Sequence, residues 1–187
     1  MKNYMNEPYN SRQDTLDHIE RVRDLLDICR LKLHERAMAH DQSKLQYPEK
    51  EAFDRLTPKL KGLTYGSDEY VACLVELGEA LNHHYEHNSH HPEHFKKEVC
   101  IICFQEFRED PPTTCPNCHN GCFTSEPDVS QMTLFDVIEM LCDWKAATER
   151  HADGSIAKSL EINKDRFKIN DQLASILENT AREMEWI

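Results

Sequence analysis

Glycine is scarce in this chain, with five among 187 residues. So few leave little room for the tight turns of an all-β domain. No segment keeps a sustained period-two alternation either, so helices are expected to carry the fold. Long apolar runs are also missing. None approaches the roughly 18 residues that a membrane helix needs, so no membrane association is expected. Positive charge is in deficit, with Lys+Arg 22 against Asp+Glu 34 and a formal −12. That excludes a sequence-independent grip on duplex nucleic acid, which relies on many phosphate contacts from Lys and Arg. A small anionic substrate stays open, because bound cations can reverse the local field. Residues 1–8 lack the apolar core of a signal peptide. The expected compartment is the cytoplasm, where the eight cysteines would stay reduced.

What is present suits one ordinary domain with a small accessory module. From about Asp14, the residues Ile19, Val22, Leu26, Cys29 and Leu33 recur at steps of three and four. This predicts an amphipathic helix capped by Ser11 or Asp14. A second helical stretch is expected to lead into His40-Asp41, and Pro48 sits where a new helix can begin. Ser67-Asp68-Glu69 opens another, with Val71, Leu74, Leu77 and Leu81 on one face. Residues 132–147 and 170–184 are further helices. Cys29, Cys73 and Cys142 read as buried small hydrophobes, and Trp144 and Trp186 as packing anchors.

One segment departs from this pattern. Cys100-Ile-Ile-Cys103 and Cys115-Pro-Asn-Cys118 are two Cys-x-x-Cys knuckles on a short linker. Such a pair can give four thiolates to a structural zinc, replacing a hydrophobic core too small to form. His119 and Cys122 lie close enough to substitute at the fourth position. A pair of disulfides is disfavoured by the compartment. The ribbon is expected to be an insertion over 99–123 in a helical domain made of 1–98 and 124–187. Its tip, Glu109-Asp110-Pro111-Pro112, reads as a polar turn, and the ribbon could contact a protein partner.

Histidine is concentrated: residues 83–94 hold His83, His84, His87, His90, His91 and His94, six of the chain's 11. Neutral imidazole is the commonest transition-metal ligand near neutral pH. His84 falls on the inward stripe of its helix, while His90 and His91 lie past Asn88, where that helix should end before Pro92. His18 lies along the edge of the first helix's apolar face. His40-Asp41 places an imidazole beside a carboxylate. Asp143 lies on the stripe of Leu134, Val137, Ile138 and Leu141, where an ionised carboxylate is costly unless paired or metal-bound. Glu139, one turn earlier, could act from behind the ligands or as a general acid. Arg166, in a basic-polar patch with Asn163, Lys164 and Lys168, could hold a substrate phosphate.

The order His18-Ile-Glu-Arg-Val22, His40-Asp41-x-Ser-Lys44, a histidine cluster and Leu141-Cys-Asp143 resembles the signature of the HD superfamily of metal-dependent phosphohydrolases. More closely, the HDxSK motif, His90-His91-Pro-Glu93, Glu139-Met-x-x-Asp143-Trp144 and Ser159-x-Glu-x-Asn163 resemble an uncharacterised bacterial and phage family of HD-like proteins. The resemblance implies an all-α helical bundle, here interrupted by the zinc ribbon. It implies His18, His40, Asp41 and Asp143 as core metal ligands, with His84 and His90 or His91 for a second ion. One or two divalent ions (Mn, Fe, Co, Ni or Zn) would activate water, Asp41 would orient it, and Lys44 would stabilise charge on phosphate oxygens. Two departures stand out: histidines exceed those required, and Ser43 replaces the glycine that some members carry. The expected function is hydrolysis of a nucleotide or similar small phosphate ester. The rival is a non-catalytic zinc-binding adaptor on the same scaffold. A homo-oligomer is open.

Overall fold

The computed structural model describes residues 9–64, 66–108, 111–150 and 154–187. The amino-terminal segment read for a signal peptide and the acidic half of the ribbon tip lie outside them. The chain divides into two compact units, Met1–Ala39 and His40–Ile187.

The first unit holds one helix, α1 (Arg12–Ala39), which buries none of its residues. The two expected helical stretches before His40 are thus a single one. It meets no Gly or Pro to break it, and ends where Asp41 turns into the left-handed region at φ 56°.

The second unit carries the remaining elements. Helix α2 (Glu49–Leu60) starts immediately after Pro48, and α3 (Asp68–Leu77) starts after Ser67, whose hydroxyl accepts the Tyr70 N–H at 3.2 Å. The sequence suggested a continuous stripe from Val71 to Leu81. Instead Gly78, at φ 51° and ψ −122°, turns the chain and starts α4 (Glu79–His87). A side chain is strained in that conformation, which explains glycine there. Leu56, Cys73 and Leu77 form a first core, with Phe53, Leu74 and Leu81 packed around it.

Helix α5 (Leu134–Thr148) opens with a reciprocal cap: Thr133 Oγ1 accepts the Asp136 N–H, and Asp136 accepts the Thr133 N–H. Helices α6 (Ile156–Arg166) and α7 (Asp171–Glu183) follow, the latter capped by Asn170, which accepts the Leu173 N–H at 2.9 Å. Helix α6 was not among the helices expected from the sequence. A second core joins Val137, Met140, Leu141, Trp144, Ile156, Phe167, Ile169 and Leu177, with Trp186 against it. Trp144 stacks on Phe167, ring centroids 6.0 Å apart, so both tryptophans are packing anchors.

The protein is mostly helical rather than purely so. A three-stranded antiparallel sheet, ordered β2-β1-β3, is made of β1 (Lys96–Cys100), β2 (Glu106–Phe107) and β3 (Phe123–Pro127). It extends beyond the expected 99–123 boundaries because Lys96 pairs with Pro127. Of the three separate cysteines only Cys73 is buried, while Cys29 and Cys142 are exposed. No helix among the described residues is long and apolar enough to cross a membrane.

Candidate metal centres

Two sets of side chains converge in the second unit. The first is the cysteine quartet. Cys100 and Cys118 sulfurs lie 3.4 Å apart, and Cys103 and Cys115 sulfurs 3.5 Å. All four fit a single ion. The two knuckles repeat one backbone design. Phe104 N–H bonds Cys100 C=O at 2.9 Å, and His119 N–H bonds Cys115 C=O at 2.8 Å. Both Phe104 and His119 sit at φ 59° to close the turn. His119 thus serves through its backbone, and neither it nor the exposed Cys122 belongs to the quartet among the described residues. The Cys103 thiol is drawn down to about 6 by the Asn117 side chain and the Gln105 backbone. Cys118 is pushed the other way, up to about 12, by burial and by its neighbouring thiols, so the quartet holds both thiolate- and thiol-favouring positions.

The second set gathers His40, Asp41, His84, His90, His91, Glu139 and Asp143. Three overlapping groups form, each with ligand atoms within 4.8 Å of one another: Asp41/His84/His90/His91, His40/His90/Glu139 and His40/Asp41/Asp143. His84 comes from α4. His90 and His91 come from the turn after it, Glu139 and Asp143 from α5, and His40 and Asp41 from the start of the second unit. The turn is held by side chains. The Asn88 amide donates to His84 C=O and Ser43 Oγ at 2.8 Å each, and Ser89 Oγ donates to Asp136 at 2.5 Å.

His84 Nε2 lies 2.9 Å from His91 Nε2 and 3.4 Å from Asp41 Oδ1, and His90 Nε2 lies 3.6 Å from the same oxygen. Ligand atoms around a four-coordinate ion with bonds of roughly 2.0–2.1 Å stand roughly 3.3 Å apart, so these spacings are those of a coordination sphere. Asp41 Oδ1 and His90 Nε2 are buried without a hydrogen-bond partner among the described residues. Buried polar atoms are rarely left so. The donor set of three imidazoles and one carboxylate suits a borderline transition metal. On these grounds the residues fit a divalent ion.

Burial lowers the His84 imidazole to about 4 and also lowers His90 and His91, which keeps all three in the neutral, ligating form. Burial pushes the Asp41 carboxyl upward, but the Lys44 ammonium 2.6 Å away outweighs it and holds Asp41 below its ordinary range. Lys44 also lies over the Phe53 ring, 5.1 Å from its centroid. On the other side of Asp41, His40 Nε2 faces Asp41 Oδ2 at 3.6 Å and Asp143 Oδ1 at 3.8 Å.

His18 is exposed on α1, in the first unit, and every residue of the histidine set lies within 40–187. Arg166 is engaged by Glu93 at 2.7 Å and lies 4.7 Å over the Phe167 ring, so it serves as a strut between the His-His-Pro-Glu turn and α6. Leu134 and Ile138 are exposed, and the buried stripe of α5 is Val137, Met140, Leu141 and Trp144. Asp143 therefore sits half-buried at its edge. Ser43 donates to Glu49 at 3.0 Å. Glu49 was missed altogether. An acidic residue after proline at a helix start looks like an ordinary solvated first turn, and only its burial marks it out.

A separate concavity of about 530 Å³ between α2 and α3 is lined by Lys59, Leu63, Glu69, Cys73 and Glu76. Its lining includes none of the converging histidines.

No curated protein and no solved structure matches this chain. A model of the family of unknown function DUF5662 matches residues 7–183, and the chain belongs to that family.

Proposed function

We propose that the protein is a metal-dependent phosphohydrolase acting on a nucleotide or other small phosphate ester, with zinc in the cysteine quartet as a structural clip. The observation that carries the reading is the convergence on Asp41 Oδ1 of His84 and His90 Nε2, with that oxygen and His90 Nε2 buried and without a hydrogen-bond partner among the described residues. Asp41, His84, His90 and His91 would hold one divalent ion. His40 and Asp143, with the second oxygen of Asp41, would hold another. The chemistry such ions supply when bound is Lewis acidity, toward water and toward a phosphoryl oxygen.

Charge supports a cation-loaded site for an anionic substrate. Asp41, Glu49, Glu139 and Asp143 against Lys44 leave a formal −3 when the imidazoles are neutral. A phosphate would be repelled from that set alone. One divalent ion reduces the sum to −1, and two raise it to +1. Lys44 is close enough to Asp41 to meet a phosphate oxygen beside it. Glu139 accepts from His40 Nδ1 at 2.9 Å and His90 Nδ1 at 3.1 Å, aiming both Nε2 atoms away from itself. In this role it is a positioning residue rather than a proton donor.

The test is metal content followed by a phosphatase screen over nucleotides with Mn, Fe, Co, Ni and Zn, comparing the wild type with His40→Ala and Asp41→Ala. Metal-dependent release of phosphate that both substitutions abolish is expected. Activity surviving both would overturn the mechanism. One observation favours the adaptor reading: Ile101, Ile102 and Phe104 are exposed together on the first cysteine knuckle, an apolar tip for a protein partner. A chain that holds metal only through its cysteines and shows no hydrolysis would support it.

A further inference from the structure

Glu49 is fully buried at the first turn of α2, and both its oxygens face imidazoles. Oε1 lies 2.7 Å from His83 Nδ1, and Oε2 lies 2.9 Å from His84 Nδ1. We propose that Glu49 is the positioning residue that fixes the tautomer and direction of His84, and so sets the metal affinity of the histidine cluster. The proposal rests on the metal-site reading above.

The protons around His84 can be assigned one by one. The Asn88 amide lies 2.8 Å from both Ser43 Oγ and the His84 carbonyl, closer than its 3.1 Å approach to His84 Nδ1, so its two protons go to the oxygens. The Ser43 hydroxyl lies 3.0 Å from Glu49 Oε2 and 3.3 Å from His84 Nδ1, so its proton goes to the carboxylate. An ionised carboxylate only accepts, so His84 Nδ1 must carry a proton and donate it to Glu49. A neutral His84 then has its lone pair on Nε2, the atom facing Asp41 and His91. His91 Nε2 is left as the donor to it until a cation takes the place of that proton. A buried carboxylate behind a ligating histidine fixes the ring and raises its basicity, and the loss of such a partner typically weakens metal binding 10–100-fold.

Burial makes Glu49 costly unless its lone pairs are used. Two imidazoles and one hydroxyl use them, and one of those imidazoles lies in the metal cluster. Glu139 repeats the device for His40 and His90. Glu49 also binds the neighbouring His83, fastening α4 to α2 through two consecutive residues.

Two measurements on the full chain test this. In metal-free protein, long-range ¹H–¹⁵N correlation of the imidazoles reads the tautomer of each ring. His84 is expected to be protonated on Nδ1 in the wild type and to lose that fixed state in Glu49→Gln. A wild-type His84 protonated only on Nε2 would overturn the proposal, without need of any variant. Cobalt titration followed by visible absorption reads affinity at the histidine cluster, while sulfur-to-cobalt bands report the cysteine site as an internal control. Glu49→Gln should bind 10–100-fold more weakly at the histidines and unchanged at the cysteines. His83→Ala, which removes only the outer arm, should stay within about threefold, by comparison with that loss. Equal affinity in wild type and Glu49→Gln would overturn the proposal. No histidine-type cobalt spectrum in the wild type would instead overturn the metal reading, with the tautomer measurement still deciding the role of Glu49.

Discussion

Asp41→Asn separates folding from metal binding more cleanly than any other substitution in the cluster. Asp41 occupies the left-handed region at φ 56° and ψ 13°, which asparagine tolerates well, so the backbone needs no adjustment. The shape of the side chain is also kept. What is lost is the charge. On the apo side that removes the half-exposed ion pair with Lys44, worth about 1 kcal/mol at most. It also removes charge from a buried oxygen that lacks a hydrogen-bond partner among the described residues, so the two effects partly offset. The stability of the metal-free protein should therefore change by less than about 1 kcal/mol. On the bound side, the anionic oxygen that would join His84 and His90 on the proposed ion becomes a neutral amide oxygen. A four-ligand site binds its ion with about 10–16 kcal/mol, so one ligand carries about 3 kcal/mol, or about a hundredfold in affinity. Chemical denaturation in chelator and cobalt titration measure the two sides. A variant that folds like the wild type and binds with wild-type affinity would refute the assignment of Asp41 to the ion. One that unfolds without metal would refute the claim that the cluster is a site set into a self-sufficient fold.

Other outcomes follow from the same structure. Cys103→Ser and Cys115→Ser should each release the ribbon metal and raise hydrogen exchange over residues 96–127, while α5 to α7 keep their protection; global unfolding would show that the ribbon is no separable module. In metal-free protein, His84 titrates near 4 and His90 and His91 are also lowered, against 6.5 when unfolded. Between those values the unfolded chain binds more protons, so stability is full above about pH 6.5 and is lost as pH falls, by up to about 1.4 kcal/mol per unit for each such histidine. Denaturant midpoints at pH 7 and pH 5 check the sign, and a flat or rising profile on acidification would contradict it. Gly78→Ala forces a side chain into a φ 51° turn between α3 and α4, and should cost about 1–3 kcal/mol, read as a lower Tm. An unchanged Tm would mean that the turn relaxes freely.

Much of the helical layout was legible because capping residues and apolar spacing are local signals. Ser67 and Asn170 cap the helices they were expected to start, and Asn88 ends the one before His90. Misreadings arose where local signals compete with something distant. Gly78 split a stripe that looked continuous, because one backbone angle outweighs the apolar spacing on either side of it. Cys29 and Cys142 sit in apolar runs yet are exposed, because the stripe that becomes buried depends on which neighbour packs there. Arg166 read as a candidate phosphate contact, and its ion pair with Glu93, far away in sequence, has no local signal.

Residue identity alone decided which chemistry is possible here. Cysteine spacing specified a four-sulfur site, and the density of imidazoles specified a nitrogen-rich one, since donor atoms and their spacing along the chain are covalent facts. Tertiary packing decided which nitrogen of each ring faces which neighbour, and which carboxylates meet the Nδ1 atoms. Glu49 and Glu139 acquire their roles from burial and from bonds to histidines on other elements. Those bonds exist only after α2, α4 and α5 have been brought together, and nothing along the chain encodes them locally.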